Sequence, residues 1–236
     1  MTTTLITGAN KGLGYETARR LVAAGHTVYI GSRDADRGRR AAEQLSARAV
    51  QLDVTDDASV LAAAETIEAD GGLDVLVNNA GIAPDCSAPN AIVGAGEVTA
   101  ELMRKTFETN VFGMVRALHA FLPQLQRSAA AVVVNVSSGL ASLTRASTEG
   151  TAAYAYPGVA YPASKTAVNA ITLRYAQAFP TIRINAVEPG FTSTDLNAGT
   201  GTQTVEQGAE IIVRMAQIDH DGPTGGYFDA EGTVPW

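Results

Sequence analysis

Short apolar runs alternate along this chain with longer stretches in which apolar positions recur every three or four residues. The runs, near residues 3–7, 27–31, 48–52, 73–77, 131–137, 182–187 and 226–228, predict strands. The periodic stretches, near 13–25, 35–46, 57–69, 98–127, 161–178 and 204–217, predict helices. Strands that read as continuous apolar runs, each followed by a helix, are the pattern of a parallel sheet covered on both faces. The expected fold is therefore α/β, a doubly wound sheet of about seven parallel strands. Local signals agree: Asp34 after "GSR" is placed to cap the second helix, and Thr55 precedes the third with Asp56 and Asp57 in its first turn. Gly25 ends the first helix.

Two stretches carry neither period, 82–96 and 139–158. Loops of that length in a compact domain tend to carry function, and both follow predicted strands. In an open parallel sheet, ligands bind outside the carboxyl ends of the strands, where strand order reverses. The unpatterned segments are expected to converge on that edge.

Composition narrows the classes. No Pro/Ser-rich or charged linker divides the 236 residues, so 1–236 is read as a single domain. A formal net charge of −7 leaves no basic stripe for nucleic acid. No apolar run reaches membrane-spanning length, and "MTTTLITG" lacks the features of a signal peptide. Cys86 is the only cysteine, which excludes an intramolecular disulfide and fits a reducing cytoplasm. His26, His119 and His220 are scattered, so no metal site is expected, and His119 in "VRALHAFLPQL" reads as a packed core residue.

The first strand runs into "TGANKGLG" and then a helix. Free N–H groups and the helix dipole at such a terminus favour an anion. Gly8 and Gly12 permit tight turning and close approach of a pyrophosphate, and Gly14 lets the helix pack on the strand. A site for NAD ordinarily has an acidic residue ending the second strand. Here Ser32 and Arg33 occupy those positions, and Asp34 falls beyond them as a helix cap. Arg33, Arg37 and Lys11 are then suited to surround a 2′-phosphate, with solvated surface charge as the plainer alternative.

Downstream, "AVVVNVSSG" brings Ser137 and Ser138 to a strand end, and Tyr161 and Lys165 stand four apart at the start of a helix, on one face. A hydroxyl, a phenol and an ammonium at one edge suffice for carbonyl reduction beside a bound nicotinamide. An ammonium about 4 Å from the phenol is worth roughly 4 kcal/mol at an effective dielectric near 20, enough to lower its pKa by up to about three units. Lys165 is thus expected to make Tyr161 usable near neutral pH.

Taken together, the motifs resemble those of the short-chain dehydrogenase/reductase family nearly end to end. They are "TGANKGLG", "LDV" at 52–54, "NNAG" at 78–81, "TNVFG" around Asn110, "NVSS" ending at Ser138, "YPASK" from Tyr161 and "EPGFTSTD" at 188–195. The resemblance implies a Rossmann-like fold and a tetrad of Asn110, Ser138, Tyr161 and Lys165, with Asn110 holding a water that relays protons through Lys165. It implies cofactor contacts from Gly8, Asn10, Lys11, Gly12, Leu13 and Gly14, and from Asp53 and Val54 at the adenine. Asn79, Ala80 and Gly81 would lie by its ribose, and Pro189, Gly190, Thr192 and Thr194 against the nicotinamide and pyrophosphate. Lys165, beside Tyr161, would also bond the nicotinamide ribose. With Lys11 and Arg33, the chain looks like the NADPH-dependent carbonyl reductases of that family, which implies action on a small ketone or aldehyde or, in reverse, an alcohol. Its substrate pocket would be walled by loops at 82–96, 139–160 and 191–203, including Leu140, Leu143, Tyr154 and Tyr156, the last loop closing as a lid. Two readings stand beside this one: a reductase of carrier-linked 3-ketoacyl groups, and a binding protein that senses NADP without chemistry. Ser138 and Tyr161 are 23 positions apart and the "VDGG"-like tail of tetrameric members is missing, which leaves monomer and homo-oligomer both open.

Overall fold

A computed structural model describes residues 2–88 and 91–236, with 86–88 and 91 as backbone alone. The elements follow in order: β1 (Thr3–Thr7), α1 (Gly12–Ala23), β2 (Thr27–Ser32), α2 (Ala35–Leu45), β3 (Arg48–Gln51), α3 (Asp57–Ala69) and β4 (Val75–Asn78). A small antiparallel hairpin, β5 (Cys86–Ala88) and β6 (Ala91–Ile92), leads to α4 (Ala100–Phe107), a π turn (Glu108–Phe112) and α5 (Gly113–Arg127). Then come β7 (Val132–Val136), the short helices α6 (Leu143–Ala146) and α7 (Ala152–Ala155), α8 (Ala160–Ala178), β8 (Arg183–Val187), α9 (Val205–Ala216) and β9 (Tyr227–Phe228).

Seven strands form one parallel sheet in the order β3-β2-β1-β4-β7-β8-β9. Successive residues of a strand face opposite sides, and both sides are apolar. Leu5, Leu76, Val133 and Ile184 pack with Ile67, Leu118, Phe121 and Val168 of α3, α5 and α8. Ile6, Ile30, Val77 and Val134 pack with Leu21, Ala42, Ile211 and Ile212 of α1, α2 and α9. The continuous apolar runs of the sequence follow from this double burial. Order reverses between β1 and β4, so the crevice for a ligand opens where those two strands end.

The caps mostly follow the sequence. Asp34 caps α2, its carboxylate accepting from the Arg37 N–H at 2.9 Å, and Gly25 follows α1 with φ +89. At α3 the cap is Asp56 itself, so only Asp57 stands in the first turn. The helix expected over 98–127 is interrupted at 108–112, where five residues wind as a π turn. His119 is exposed, contrary to its expected place in the core. The buried stripe of α5 is Met114, Ala117, Leu118, Phe121 and Leu125, which turns His119 outward. The segments expected as plain loops hold β5 and β6 within 82–96, and α6 and α7 within 139–160. Residues 89 and 90 of the first pocket loop lie outside the described residues.

Candidate active site

The glycine loop leaves β1 at the switch point. Gly8 and Gly12 have φ of +66 and +58, in the left-handed region that suits glycine. A Cβ at Gly14 would fall 2.6 Å from Asn79 Nδ2 and 2.9 Å from the Gly8 carbonyl oxygen, so only glycine fits. Asn79 fastens the loop to β4 by donating through Nδ2 to the Thr7 and Gly8 carbonyls. Thr7 Oγ1 accepts from the N–H groups of Asn79 and Ala80. Helix α1 begins without a side-chain cap and with no acidic residue in its first turn. A Cβ at Gly12 would meet nothing nearer than Thr194, at 3.8 Å. An uncapped positive helix end beside open space fits a phosphate-bearing group, and Leu13 lies in that first turn.

Beside the loop is a recess of about 380 Å³ lined by Asn10, Lys11, Arg37, Arg40 and Asp195, among others. Lys11 Nζ lies 2.6 Å from Asp195 Oδ2, which holds the carboxyl below its usual range, and Arg37 is 3.3 Å from Asp34. Arg33 is exposed and makes no side-chain ion pair among the described residues. Ser32 is buried and spends its hydroxyl donor on the Asp34 carbonyl, leaving only its acceptor capacity. The sequence reading overlooked Arg40, which the spacing of three from Arg37 places on the same face of α2. Past β3, Asp53 accepts from the N–H and hydroxyl of Thr55, and Val54 packs against Gly113.

The second cluster stands at the ends of β7 and α8. Burial pushes the Tyr161 phenol up to about 12, and the nearby Ser138 hydroxyl acts in the opposite, lowering direction. Lys165 is 5% exposed, donates to the Val136 carbonyl at 2.7 Å, and lies 5.7 Å from the centre of the Tyr161 ring. Its burial lowers the ammonium pKa to about 8. The expected drop in the Tyr161 pKa is thus reversed in this structure: loss of solvation outweighs the lysine, which is turned toward a backbone acceptor. Negative charge on Asp85 and Glu188 acts in the same upward direction.

Asn110 sits in the π turn and is buried. Its side-chain oxygen accepts from the Ile82 N–H at 2.8 Å, and its Nδ2 donates to the Ile82 carbonyl and to Ser164 Oγ. The side chain is therefore committed to the neighbouring loop and to α8. A Cβ at Gly81 would come within 3.4 Å of Asn110 Oδ1 and 3.5 Å of Lys165 Nζ. Between Asn78, Asn110, Val136 and Lys165 is a cavity of about 10 Å³, room for about one water.

The 189–203 chain closes over the glycine loop. Gly190 takes φ +76, Thr192 donates to the Pro189 carbonyl, and Thr194 caps a short 3-10 turn that carries Asp195. Ser193 N–H bonds the Gln203 carbonyl, so this segment is pinned at its neck. Leu143, Tyr154 and Phe191 are exposed, while Tyr156 is half-buried. Sequence reasoning also missed Asp85 and Glu188. A carboxyl embedded in an unpatterned loop gives no periodic signal, and Glu188 was visible only as the first residue of "EPGFTSTD".

A family model described as short chain dehydrogenase matches residues 2–205, and the chain belongs to the short-chain dehydrogenase family. It is accordingly an oxidoreductase of the kind that uses nicotinamide cofactors on carbonyl or alcohol substrates. The (+)-neomenthol dehydrogenase of Capsicum annuum is 32% identical over 296 residues, spanning 95% of this chain and 94% of that protein. Among solved structures, salutaridine reductase from Papaver somniferum superposes with a TM-score of 0.83 at 28% identity, covering 97% of this chain and 99% of that one. NADPH-bound carbonyl reductase from chicken fatty liver gives 0.84 at 27%, covering 100% and 99%. Among the described residues no helix is long and apolar enough to cross a membrane, and no group of three or more His, Cys, Asp or Glu residues could hold a metal.

Proposed function

We propose that this protein is an NADPH-dependent carbonyl reductase in which Tyr161 is the general acid, with residues 1–236 working as one cytoplasmic domain on a small ketone or aldehyde. The observation that carries the reading is the convergence of Ser138 and Tyr161, with Lys165 buried beside the phenol ring, at the ends of β7 and α8. The uncapped α1 terminus, Gly8, Gly12 and Gly14 would hold the pyrophosphate, and Lys11, Arg33, Arg37 and Arg40 the 2′-phosphate. When bound, the reduced nicotinamide supplies the hydride.

The protein's own residues then manage the carbonyl oxygen. Ser138 donates to it and holds it in line. Tyr161, with its pKa raised to about 12, is fully protonated at neutral pH and gives its proton as negative charge develops. Lys165 is mostly charged below its pKa of about 8. Standing 5.7 Å from the ring centre, its charge favours the phenolate being formed. The geometry suits reduction: the acid is held protonated at rest and the ammonium assists only as charge appears. The NADPH-bound carbonyl reductase among the structural neighbours supports the choice of cofactor.

The test is NADPH oxidation with a panel of ketones. Wild-type turnover is expected, and Tyr161→Phe should reduce it by about 10²–10⁴-fold while NADPH affinity is kept. A near-normal rate in the variant ends the assignment of Tyr161. Tight NADPH binding without turnover on any ketone would favour a sensor instead.

A further inference from the structure

Helix α8 starts without a side-chain cap of its own, since Val159 at the cap position supplies none. Its third residue is Pro162, which has no N–H, and the Ala163 N–H already bonds the Val159 carbonyl. The N–H of Tyr161, in the same turn, has no acceptor within the helix. It is met by Asp85, from the far side of the crevice: Asp85 Oδ2 accepts from the Tyr161 N–H at 3.0 Å.

Asp85 is 0% exposed, and its second oxygen, Oδ1, has no hydrogen-bond partner among the described residues. Burying a carboxylate with one oxygen unsatisfied costs free energy that an apolar residue would avoid. The surroundings are nevertheless built around it. The Val93 N–H bonds the Asp85 carbonyl at 2.9 Å, and Gly94 pairs with Gly158 just before α8. A Cβ at Gly158 would lie 3.2 Å from Asp85 Oδ2 and 2.5 Å from a ring carbon of Tyr156, so glycine there leaves space for the carboxyl to reach the helix.

We propose that Asp85 is a positioning residue for Tyr161: its buried carboxylate fastens the first turn of α8 to the 82–96 segment and so fixes where the phenol stands. The proposal rests on the reading of Tyr161 as the general acid. The negative end of the tether suits the positive end of the helix. Around Tyr161 stand Asp85 from the 82–96 segment, Ser138 from the end of β7, Glu188 after β8 and Lys165 on its own helix. Asp85 thus adds a negative charge to a site that must form a phenolate, which disfavours that form and keeps the acid loaded for reduction.

Two variants of the full-length protein separate the tether from its charge. In Asp85→Ala the tether is gone, and kcat for ketone reduction should fall by about 10- to 100-fold, the usual consequence of a misplaced reacting group, with the NADPH dissociation constant unchanged within about twofold. Asp85→Asn keeps an acceptor for the Tyr161 N–H, and should restore kcat to within about fivefold of wild type. It should also lower the alkaline midpoint of alcohol oxidation by roughly half a unit, because the opposing charge is removed. Unchanged turnover in Asp85→Ala overturns the proposal, as does an Asp85→Asn protein with an unmoved midpoint. The second variant decides the matter should Asp85→Ala fail to fold. Tyr161→Phe run in parallel keeps the two ideas apart: loss of activity there with indifferent Asp85 variants rejects the tether alone, whereas an active Tyr161→Phe rejects the acid.

Discussion

Lys165 donates to the carbonyl oxygen of Val136 at 2.7 Å, so the ammonium beside the candidate acid is anchored to the end of the central sheet. Desolvation there lowers its pKa from 10.5 to about 8. Between those values the unfolded chain binds the proton more tightly than the folded one, and stability therefore rises with pH across that window.

Lys165→Met should accordingly be more stable than wild type at pH 7, by about 1–2 kcal/mol after the lost hydrogen bond is counted, and inactive. The advantage should shrink as pH rises from about 8 toward 10.5. Urea denaturation of the cofactor-free proteins at pH 7 and pH 10 measures both parts. A less stable variant at pH 7 would mean that the bond to Val136 outweighs desolvation.

Cofactor choice should depend on the basic residues unequally. Arg33 makes no ion pair among the described residues, whereas Arg37 is 3.3 Å from Asp34 and Lys11 2.6 Å from Asp195. Arg33→Ala should raise the KM for NADPH by about tenfold or more, and Arg37→Ala by less, with NADH affected under about twofold in either. Steady-state kinetics with both cofactors decides it, and equal effects on NADPH and NADH would remove Arg33 from the 2′-phosphate site.

Gly14→Ala should cost about 1–3 kcal/mol of stability, since the new methyl overlaps Asn79 Nδ2 and the Gly8 carbonyl. It should also weaken NADPH binding at least about tenfold by displacing the bolt between the glycine loop and β4. Fluorescence titration together with thermal melting tests this. Gly96→Ala, where a Cβ meets nothing within 4 Å, is the control and should leave both unchanged.

How much of this was readable beforehand varied with the kind of signal. The central strands announced themselves because they are apolar on two sides, as at Leu5 and Ile6, which belong to opposite core layers. The cap at Asp34 and the turn at Gly25 were equally local, and equally legible. Periodicity failed where one residue is inserted, at the π turn, and it misassigned His119 because an apolar neighbourhood in sequence does not fix which way a helix faces. The hairpin in 82–96 and the short helices α6 and α7 had no repeating pattern to betray them.

Within the candidate site, residue identities came from the motifs while energetics did not. Tyr161 and Lys165 share a face of α8 as their spacing required, yet the balance between charge and burial depends on packing that spacing does not encode. Asp85 acts through a partner far away in the chain, and a carboxyl 76 positions before the N–H it accepts from leaves no trace in local sequence.

The π turn at Glu108–Phe112 gives chain length a role equal to that of side-chain identity. Excising one of its residues would restore regular winding and rotate all that follows by about 100°. Asn110 could then no longer reach Ile82 and Ser164 while the stripe from Met114 to Leu125 faced the sheet. A one-residue gap at this point would dismantle the crevice even with every named side chain retained, so the spacing itself is a constraint on which relatives can share the same chemistry.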